Sequence, residues 1–334
     1  MTDHPFTEYL RILGKGPKSK RPLTQDEALT AIEMILAGEV TEKQLGAFLL
    51  LMRANGETAD ELIGFIKGIR RFYQLNDSHD SASKNSIDLD ISAYAGKWRY
   101  PPYFLLSIKL LVQNGYKVLL HGDSGQFNNR QYADAFLHEL GFYQATSIND
   151  ARAYIVGGKA VYLPLIEFAP DLKNILHLKS ELGVRTVFNT AVKVLNPLNA
   201  PATMQGIFHK GVENLHHAAA QANQTKTNLV FKGEGGEPEI RPDAFTRLFF
   251  SQHKQAELRE LKIYSTCERA IRPQNWTIND IVDLWDNKLD AAETAHKLYA
   301  ENAVISTAAV ALMAIEQLGF NDALEKAKVF WNER

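Results

Sequence analysis

Residues 23–61 have the sequence LTQDEALTAIEMILAGEVTEKQLGAFLLLMRANGETADE. At three places just ahead of an apolar helical pattern, a threonine is followed three residues later by a glutamate or a glutamine: at Thr24 and Glu27, Thr41 and Gln44, and Thr58 and Glu61. In each pair the two side chains satisfy free backbone N–H groups at the start of a helix. Gly38 and Gly56 follow as helix stop signals. The stretch therefore predicts three short helices that form a compact α-helical subdomain.

Short apolar runs alternate with helical patterns in the rest of the chain, after a polar linker at 76–85. Strands are predicted at 87–91, 118–120, 160–163 and 228–232. Helices are predicted from Pro101-Pro102 onward and at 131–140, 147–156 and 302–317. This alternation predicts a mostly parallel sheet covered by helices, with ligands bound at the carboxyl ends of the strands.

The composition narrows the class of protein. The 334 residues are 45% hydrophobic and 23% charged, which is typical of a globular chain, and the net charge of −2 leaves the kind of partner open. Cys267 is the only cysteine, which excludes an internal disulfide and a four-thiolate zinc site. The N-terminus lacks a signal-peptide pattern, and no run approaches the ~20 apolar residues of a membrane span. We therefore expect a cytoplasmic protein that does not contact membranes.

Several phrases resemble a known family. Residues 181–189 have the sequence ELGVRTVFN, followed by LNP at 195–197 and ENA at 301–303. With the stretch 23–61, they resemble the anthranilate phosphoribosyltransferase family. The resemblance implies an α/β fold with a small N-terminal α-helical domain and a large α/β domain that has a mostly parallel central sheet. The helical domain would comprise residues 1–75 and a returning segment at about 170–192, and the α/β domain residues 86–169 and 193–334.

The family's enzymes displace pyrophosphate from phosphoribosyl pyrophosphate, which requires bare backbone N–H groups, magnesium and cations around the phosphates. The chain departs from the family at these places. In the glycine-rich loop after the first strand, Ala93 and Ala95 stand where the family has glycine, Gly96 remains, and Lys97 replaces an acid. In the next phosphate-binding phrase His121 and Gly122 are kept, but Asp123 introduces a charge that repels pyrophosphate.

The late metal-holding pair of the family is also changed. Glu237 and Glu239 lie in that region and would hold magnesium if the protein is an enzyme. Lys179 stands where the family has an arginine that contacts anthranilate. The positive charge is kept, but lysine lacks the planar guanidinium group that binds a carboxylate through two hydrogen bonds. Ordinary anthranilate phosphoribosyl transfer is therefore not expected.

This pattern resembles a divergent branch of the family whose members are homodimers that bind nucleic acid without the transferase activity. The resemblance implies a non-catalytic or weakly catalytic protein that needs no cofactor. The resemblance implies sequence-independent binding, chiefly of single strands, in a basic cleft, without distinguishing DNA from RNA. The residues predicted to contact nucleic acid are Lys97, Arg99, Lys173, Lys179, Arg185 and Lys193, and the degenerate phosphate site comprises Ala93, Tyr94, Gly96, His121 and Gly122. Dimers would form through the helical domains, with Leu45, Phe48 and Leu49 at the contact.

Three alternatives remain open. The chain is a glycosyl or phosphoribosyl transferase that uses phosphoribosyl pyrophosphate and magnesium on another acceptor, or a scaffold that binds only protein, or its basic segments are merely solvated loops. His121 is either a relic of the active site or a packing residue at a strand end. His209, His216 and His217 lack an acidic partner at ligand spacing, which disfavours a metal site.

Overall fold

In the computed structural model, which describes residues 3–75, 87–255, 257–269, 277–289 and 294–334, the chain starts with a helical subdomain. Its helices are α1 (Thr7–Gly14), α2 (Gln25–Leu36), α3 (Glu42–Asn55) and α4 (Ala59–Phe72). The three predicted capping boxes are present, since each threonine accepts the N–H of the third helical residue and each longer side chain accepts the N–H of the threonine. Local chemistry therefore places these helices as predicted. The polar linker at 76–85 lies outside the described residues.

The α/β part alternates strands and helices. The strands are β1 (Leu89–Ala93), β2 (Val118–Gly122), β3 (Tyr143–Gln144), β4 (Val161–Pro164), β5 (Ala202–Ile207), β6 (Thr227–Lys232), β7 (Thr246–Gln252) and β8 (Arg259–Ile263). The helices are α5 (Phe104–Gln113), α6 (Ile148–Val156), α7 (Pro170–His177), α8 (Lys179–Leu182), α9 (Phe188–Ala191), α10 (Glu213–Ala222), α11 (Ile278–Trp285), α12 (Thr294–Glu316) and α13 (Phe320–Glu333).

The strands form one sheet of order β3-β4-β2-β1-β5-β6-β7-β8. All pairings from β3 to β6 are parallel, whereas β7 and β8 add to the edge in antiparallel fashion. The fold class is as predicted, a small helical domain with an α/β domain and a mostly parallel sheet. The carboxyl ends of β1, β2, β5 and β6 lie side by side, so the loops that follow them meet at one edge.

Two apolar cores hold these layers together. One core contains the apolar faces of α2, α3 and α4, the segment α7–α9 and part of the sheet, so the returning segment packs on the helical domain. The other core lies between the sheet and α5, α12 and α13. The 21-residue stretch 296–316 of α12 is long and apolar enough to cross a membrane, contrary to the expectation from the sequence, but 72% of its most apolar window is buried in the protein. It is thus a core helix by its packing.

Several predictions fail in detail. The helix predicted at 131–140 is only a 3₁₀ turn at Ala133–Phe136. The reason is that Gln131 pairs its backbone with Lys97, which holds the start of the segment extended. Phe48 and Leu49, expected at a dimer contact, are buried in the helical domain's own core, so only Leu45 of that set is partly exposed. Leu50 is the exposed leucine of α3, at 44%.

Candidate functional site

The loop after β1 and the loop after β6 pack against each other at the carboxyl edge of the sheet. The first loop carries the degenerate phosphate site, and the second supplies three buried glutamates, Glu234, Glu237 and Glu239. The Glu237 carboxylate accepts hydrogen bonds from the backbone N–H of Ala95 (2.9 Å) and of Gly96. Backbone N–H groups at such a position are the groups that would hold a phosphate. Here a carboxylate of the same chain occupies them.

The two neighbouring glutamates act in the same way. Glu234 accepts the N–H of Trp98 (3.1 Å) and of Arg99 (3.0 Å). Glu239 accepts the N–H of Phe104 at the start of α5 (2.9 Å). Backbone N–H groups of the loop after β1 therefore donate to carboxylates of the same chain, whereas a phosphate site needs such N–H groups to be free.

Lys97 lies inside this arrangement. Its side chain is fully buried and pairs with Glu239 and, at 3.5 Å, with Glu234. The prediction that Lys97 contacts nucleic acid is therefore wrong, because its charge is used within the protein. Burial raises the pKa of Glu239, and the charge of Lys97 opposes this rise.

The acidic pair does not fit magnesium. Hydrogen bonds from the loop hold one oxygen of Glu237, and Lys97 stands beside Glu239 where a metal would need to be. The second oxygen of Glu237 is buried without a hydrogen-bond partner among the described residues, which leaves a single carboxylate oxygen for any cation. Within the described ranges, no group of three or more His, Cys, Asp or Glu side chains is placed to hold a metal ion.

The histidine that the chain shares with the family's phosphate-binding phrase is a packing residue. The Tyr94 hydroxyl lies 2.7 Å from Nδ1 of His121, and Nε2 of His121 lies 3.3 Å from the Asp90 carboxylate. All three side chains are buried. A side chain on Gly122 would clash with the carbonyl oxygen of Ala93, so glycine allows β1 and β2 to approach. The geometry resolves the alternatives for His121 in favour of packing.

Asp123, at the end of β2, is also neutralised internally. It is buried and lies 2.8 Å from Nε2 of His177 and 3.4 Å from Nζ of Lys173. Lys173 is thus held by a carboxylate of its own chain, and we remove it from the predicted nucleic-acid contacts. Asp123 faces these two partners, so its predicted repulsion of phosphate is partly offset.

We call the loop N–H groups of Ala95 and Gly96, which the Glu237 carboxylate occupies, the closed phosphate seat. An open cleft lies beside it, between the helical domain and the α/β domain. Its volume is about 330 Å³, and its lining includes Arg53, Phe127, Arg185, Lys193 and Phe208. Three cations stand over the ring of Phe127: Nζ of Lys179 at 4.6 Å, Cζ of Arg185 at 5.4 Å and Cζ of Arg130 at 5.5 Å from the ring centroid. These distances are within the range of cation–π attraction.

The same pattern continues on both sides of Phe127. Arg185 also lies 5.6 Å from the Phe208 ring centroid, and Arg130 lies 5.1 Å from that of Trp98. Arg99 lies 5.5 Å from the same Trp98 ring. Burial and the charges of Arg53 and Arg130 lower the pKa of Arg185, which indicates a locally positive environment. The site therefore places the predicted residues Arg99, Lys179 and Arg185 along one surface.

Lys193 forms part of the cleft floor. Its ammonium group donates to the carbonyl oxygens of Gly206 (2.5 Å) and Gly236 (2.8 Å), and the side chain is buried. Burial lowers its pKa to about 8, although Glu237 favours the charged form. Because two of its three N–H groups point inward, we also remove Lys193 from the predicted contacts.

Sequence reasoning missed four residues of this surface: Arg53, Phe127, Arg130 and Phe208. Phe127 and Arg130 lie in the loop after β2, and Phe208 directly follows β5. The rule that ligands bind at the carboxyl ends of strands would have marked these loops, if both strands had been located. β5 was not predicted from the sequence.

Comparison with known proteins agrees with this architecture. Residues 7–72 match the model of a glycosyl transferase family helical bundle domain. The chain is 27% identical over 311 residues to the anthranilate phosphoribosyltransferase of Saccharolobus solfataricus, covering 92% of this chain and 87% of that protein. It is also 27% identical over 225 residues to that of Metallosphaera sedula, which covers 67% of this chain and 63% of that protein.

Relatives from the anthranilate phosphoribosyltransferase family match most of the chain, which supports the predicted family. Solved structures share its fold: the anthranilate phosphoribosyltransferase from Thermus thermophilus has a TM-score of 0.75 at 18% identity and covers 98% of this chain and 94% of that one. The structure of the Saccharomyces cerevisiae anthranilate phosphoribosyltransferase in complex with PRPP and Mg has a TM-score of 0.74 at 14% identity. The match covers 99% of this chain and 94% of that one. The predicted family is confirmed, while membership of the nucleic-acid-binding branch stays a prediction.

Proposed function

We propose that this member of the family binds single-stranded nucleic acid, without sequence preference, in the cleft between its two domains. The observation that carries the proposal is the ring of Phe127 with Lys179, Arg185 and Arg130 over it. Proteins that bind single strands combine cations that follow the phosphates with aromatic rings on which bases stack. The net charge of −2 does not oppose this, because Lys179, Arg185 and Arg130 form a local group of cations around Phe127.

The closed phosphate seat supports a binding function rather than catalysis. Glu237 occupies the N–H groups of Ala95 and Gly96, and a pyrophosphate at the same N–H groups would have to displace this carboxylate. A polyanion in the adjoining cleft needs no such displacement. The cleft lining contains Arg53 and Arg185 together with one partly exposed acid, Glu57, whereas Glu234, Glu237 and Glu239 are buried.

The second candidate is transfer of a phosphoribosyl group from phosphoribosyl pyrophosphate with magnesium. The relatives favour it, because the proteins named above are anthranilate phosphoribosyltransferases and one solved relative is in complex with PRPP and Mg. Nothing in those names concerns nucleic acid. Against it stands the geometry of Glu237, Glu239 and Lys97, which leaves a single oxygen of this acidic pair for the metal. Calorimetric titration with phosphoribosyl pyrophosphate and magnesium tests this candidate, and saturable binding would favour it.

Fluorescence anisotropy with a labelled oligothymidylate tests the first candidate. We expect saturable binding that weakens with salt, because each neutralised phosphate releases counterions. A plot of log Kd against the logarithm of the salt concentration should be a rising straight line. Arg185→Gln should reduce the salt slope by about 1 and weaken binding, since its charge is lost from the cleft. Lys328→Gln, which removes an exposed charge from α13, a helix that does not line the cleft, is the matched control and should change neither quantity.

Two outcomes would count against nucleic-acid binding. The first is an absence of binding at low salt, and the second is binding that is indifferent to salt. A homodimer through the helical domains stays part of the proposal, because two clefts on one particle would raise the apparent affinity for a long strand. Sedimentation of the protein alone measures that state directly.

A further inference from the structure

A second cavity lies next to the cleft, at the side of the sheet where β6 turns into β7. Its volume is about 390 Å³, and its wall includes Trp98, Phe208, Lys210, Lys232 and Phe245. This volume is within the range of sites that hold small organic ligands. Of the residues predicted to contact nucleic acid, Arg99 lines this cavity, and no residue of its β7 wall was predicted as a contact.

We infer that the second cavity receives a base of the strand bound in the cleft, with the adjoining phosphates on Lys210 and Lys232. The inference rests on the proposed function, and it adds a base-stacking site to a contact that would otherwise be mainly electrostatic. Three independent features of the cavity support it: its exposed rings, its charges and its continuity with the cleft.

The first feature is a set of large aromatic side chains left in solvent. The Trp98 side chain is 51% exposed, Phe245 is 50% exposed, and Tyr264, directly after β8, is 70% exposed. The Phe245 and Tyr264 ring centroids are 5.7 Å apart, so the two rings form one apolar surface beside the cavity. Clustered exposed rings of this size mark binding sites rather than neutral surface. Every nucleobase has a flat face that can stack on them.

The second feature is the balance of charge around the cavity. Within the described part of the chain, no carboxylate lies at ion-pair distance from the exposed Lys210 or Lys232. The two acids in the wall are already occupied, because Glu234 accepts two backbone N–H groups and Glu213 accepts that of Gly211 at 2.6 Å. The two lysines therefore give the cavity the positive potential that a phosphate needs.

Arginines of the same wall act differently. Arg241 is paired with Asp243 and Arg247 with Glu260. These pairs engage the two guanidinium groups, whereas a phosphate can reach Lys210 and Lys232 without breaking an ion pair. Lysine, as a point charge on a flexible stem, suits a phosphate whose position varies along a strand.

The third feature is the shared residue Phe208, which lines both the cleft and the second cavity. Arg185 of the cleft lies 5.6 Å from its ring centroid, and Nζ of Lys232 of the second cavity lies 5.8 Å from it. A strand that leaves the cleft across Phe208 thus passes from one cation directly to the next. The two cavities form one continuous track.

The test compares a labelled oligothymidylate with an oligomer of abasic deoxyribose phosphates of equal length, both by fluorescence anisotropy. Phe245→Ala should weaken binding of oligothymidylate by roughly 5- to 150-fold, the range found for loss of one stacked base, and leave binding of the abasic oligomer unchanged. Lys232→Gln should weaken binding of both oligomers. Tyr154→Ala, which removes a 39% exposed ring from α6 near the opposite edge of the sheet, is the control and should change neither.

Trp98 provides a second readout. Quenching of its fluorescence on titration with unlabelled oligothymidylate should occur in the wild type and be lost in Trp98→Phe, which keeps a ring at the site. Suppose that the wild type binds oligothymidylate and that Arg185→Gln weakens this binding, whereas Phe245→Ala leaves it unchanged and Trp98 shows no quenching. This result overturns the inference about the second cavity, while the proposed function stands. If the wild type binds neither oligomer, both fail together. A lowered Tm identifies any variant that has a folding defect. In that case the Trp98 quenching of the wild type decides whether a base enters the second cavity.

Discussion

Replacing Glu237 by alanine should open the closed phosphate seat. The Glu237 carboxylate accepts the N–H groups of Ala95 (2.9 Å) and Gly96, and all three residues are buried. Without it, each N–H is left buried and unpaired, at a cost of about 1–3 kcal/mol apiece. Burial disfavours the charged form of Glu237, as its raised pKa shows. Removing this carboxylate therefore offsets part of the cost.

We therefore expect the variant to lose about 2–4 kcal/mol of the free energy of unfolding, which lowers Tm by roughly 3–6 °C for a chain of this length. Inorganic phosphate should restore stability, because it can accept the same N–H groups. At about a hundred times its dissociation constant, a ligand of the folded state adds about 2.7 kcal/mol. Thermal unfolding in phosphate and in chloride at equal ionic strength measures the effect.

Two controls make the test specific. Glu237→Gln keeps an oxygen for the two N–H groups and should lose less stability than the alanine variant, with little rescue by phosphate. The wild type has the same open cleft, so any phosphate bound there raises its Tm as well, and only the excess in Glu237→Ala reports on the seat. The reasoning is refuted if Glu237→Ala is as stable as the wild type, or if phosphate stabilises both proteins equally.

Three further predictions follow from the same contacts. Lys97→Met should destabilise the fold by about 3–5 kcal/mol in chemical unfolding, because it leaves buried acids uncompensated, and the double variant with Glu239→Gln should recover much of this loss. Since burial lowers the folded pKa of Lys193 to about 8, below the unfolded value near 10.5, the unfolded state binds more protons between these pH values. Stability from this group should therefore rise as pH increases from about 8 to about 10.5, and Lys193→Met should remove that part of the urea-unfolding pH profile. Thr24→Ala should cost about 1 kcal/mol through loss of a helix cap and leave oligonucleotide affinity unchanged in anisotropy.

The helical domain could be predicted because its signals are local. Thr24 and Glu27 are three residues apart, and the hydrogen bonds that they make lie within one turn. The same holds for the order of β1, α5 and β2, where short apolar runs and Asn114-Gly115 mark the elements. Predictions of this kind need no knowledge of distant residues.

The fate of Lys97 could not be predicted, since its partner Glu239 lies 142 residues away in the sequence. A basic residue in a loop at a strand end favours a ligand contact until its neighbours are known. The cluster of three glutamates at 234–239 was the available signal. Two of its members, Glu237 and Glu239, were interpreted as a metal-holding pair, whereas the structure shows each acid of the cluster bonded to the loop after β1.

The exchange of a phosphate for a carboxylate has a further consequence for charge at the site. A pyrophosphate site concentrates its donors on one compact ligand, and in this chain the loop donors and Lys97 are directed to internal acids instead. The cations left facing solvent, such as Lys179 and Arg185, are spread over the rings of Phe127 and Phe208. Spaced cations on aromatic rings match a ligand whose charges are themselves spaced and separated by flat groups. The acids that close the seat therefore also support the proposal that the remaining surface binds a strand rather than a single activated sugar.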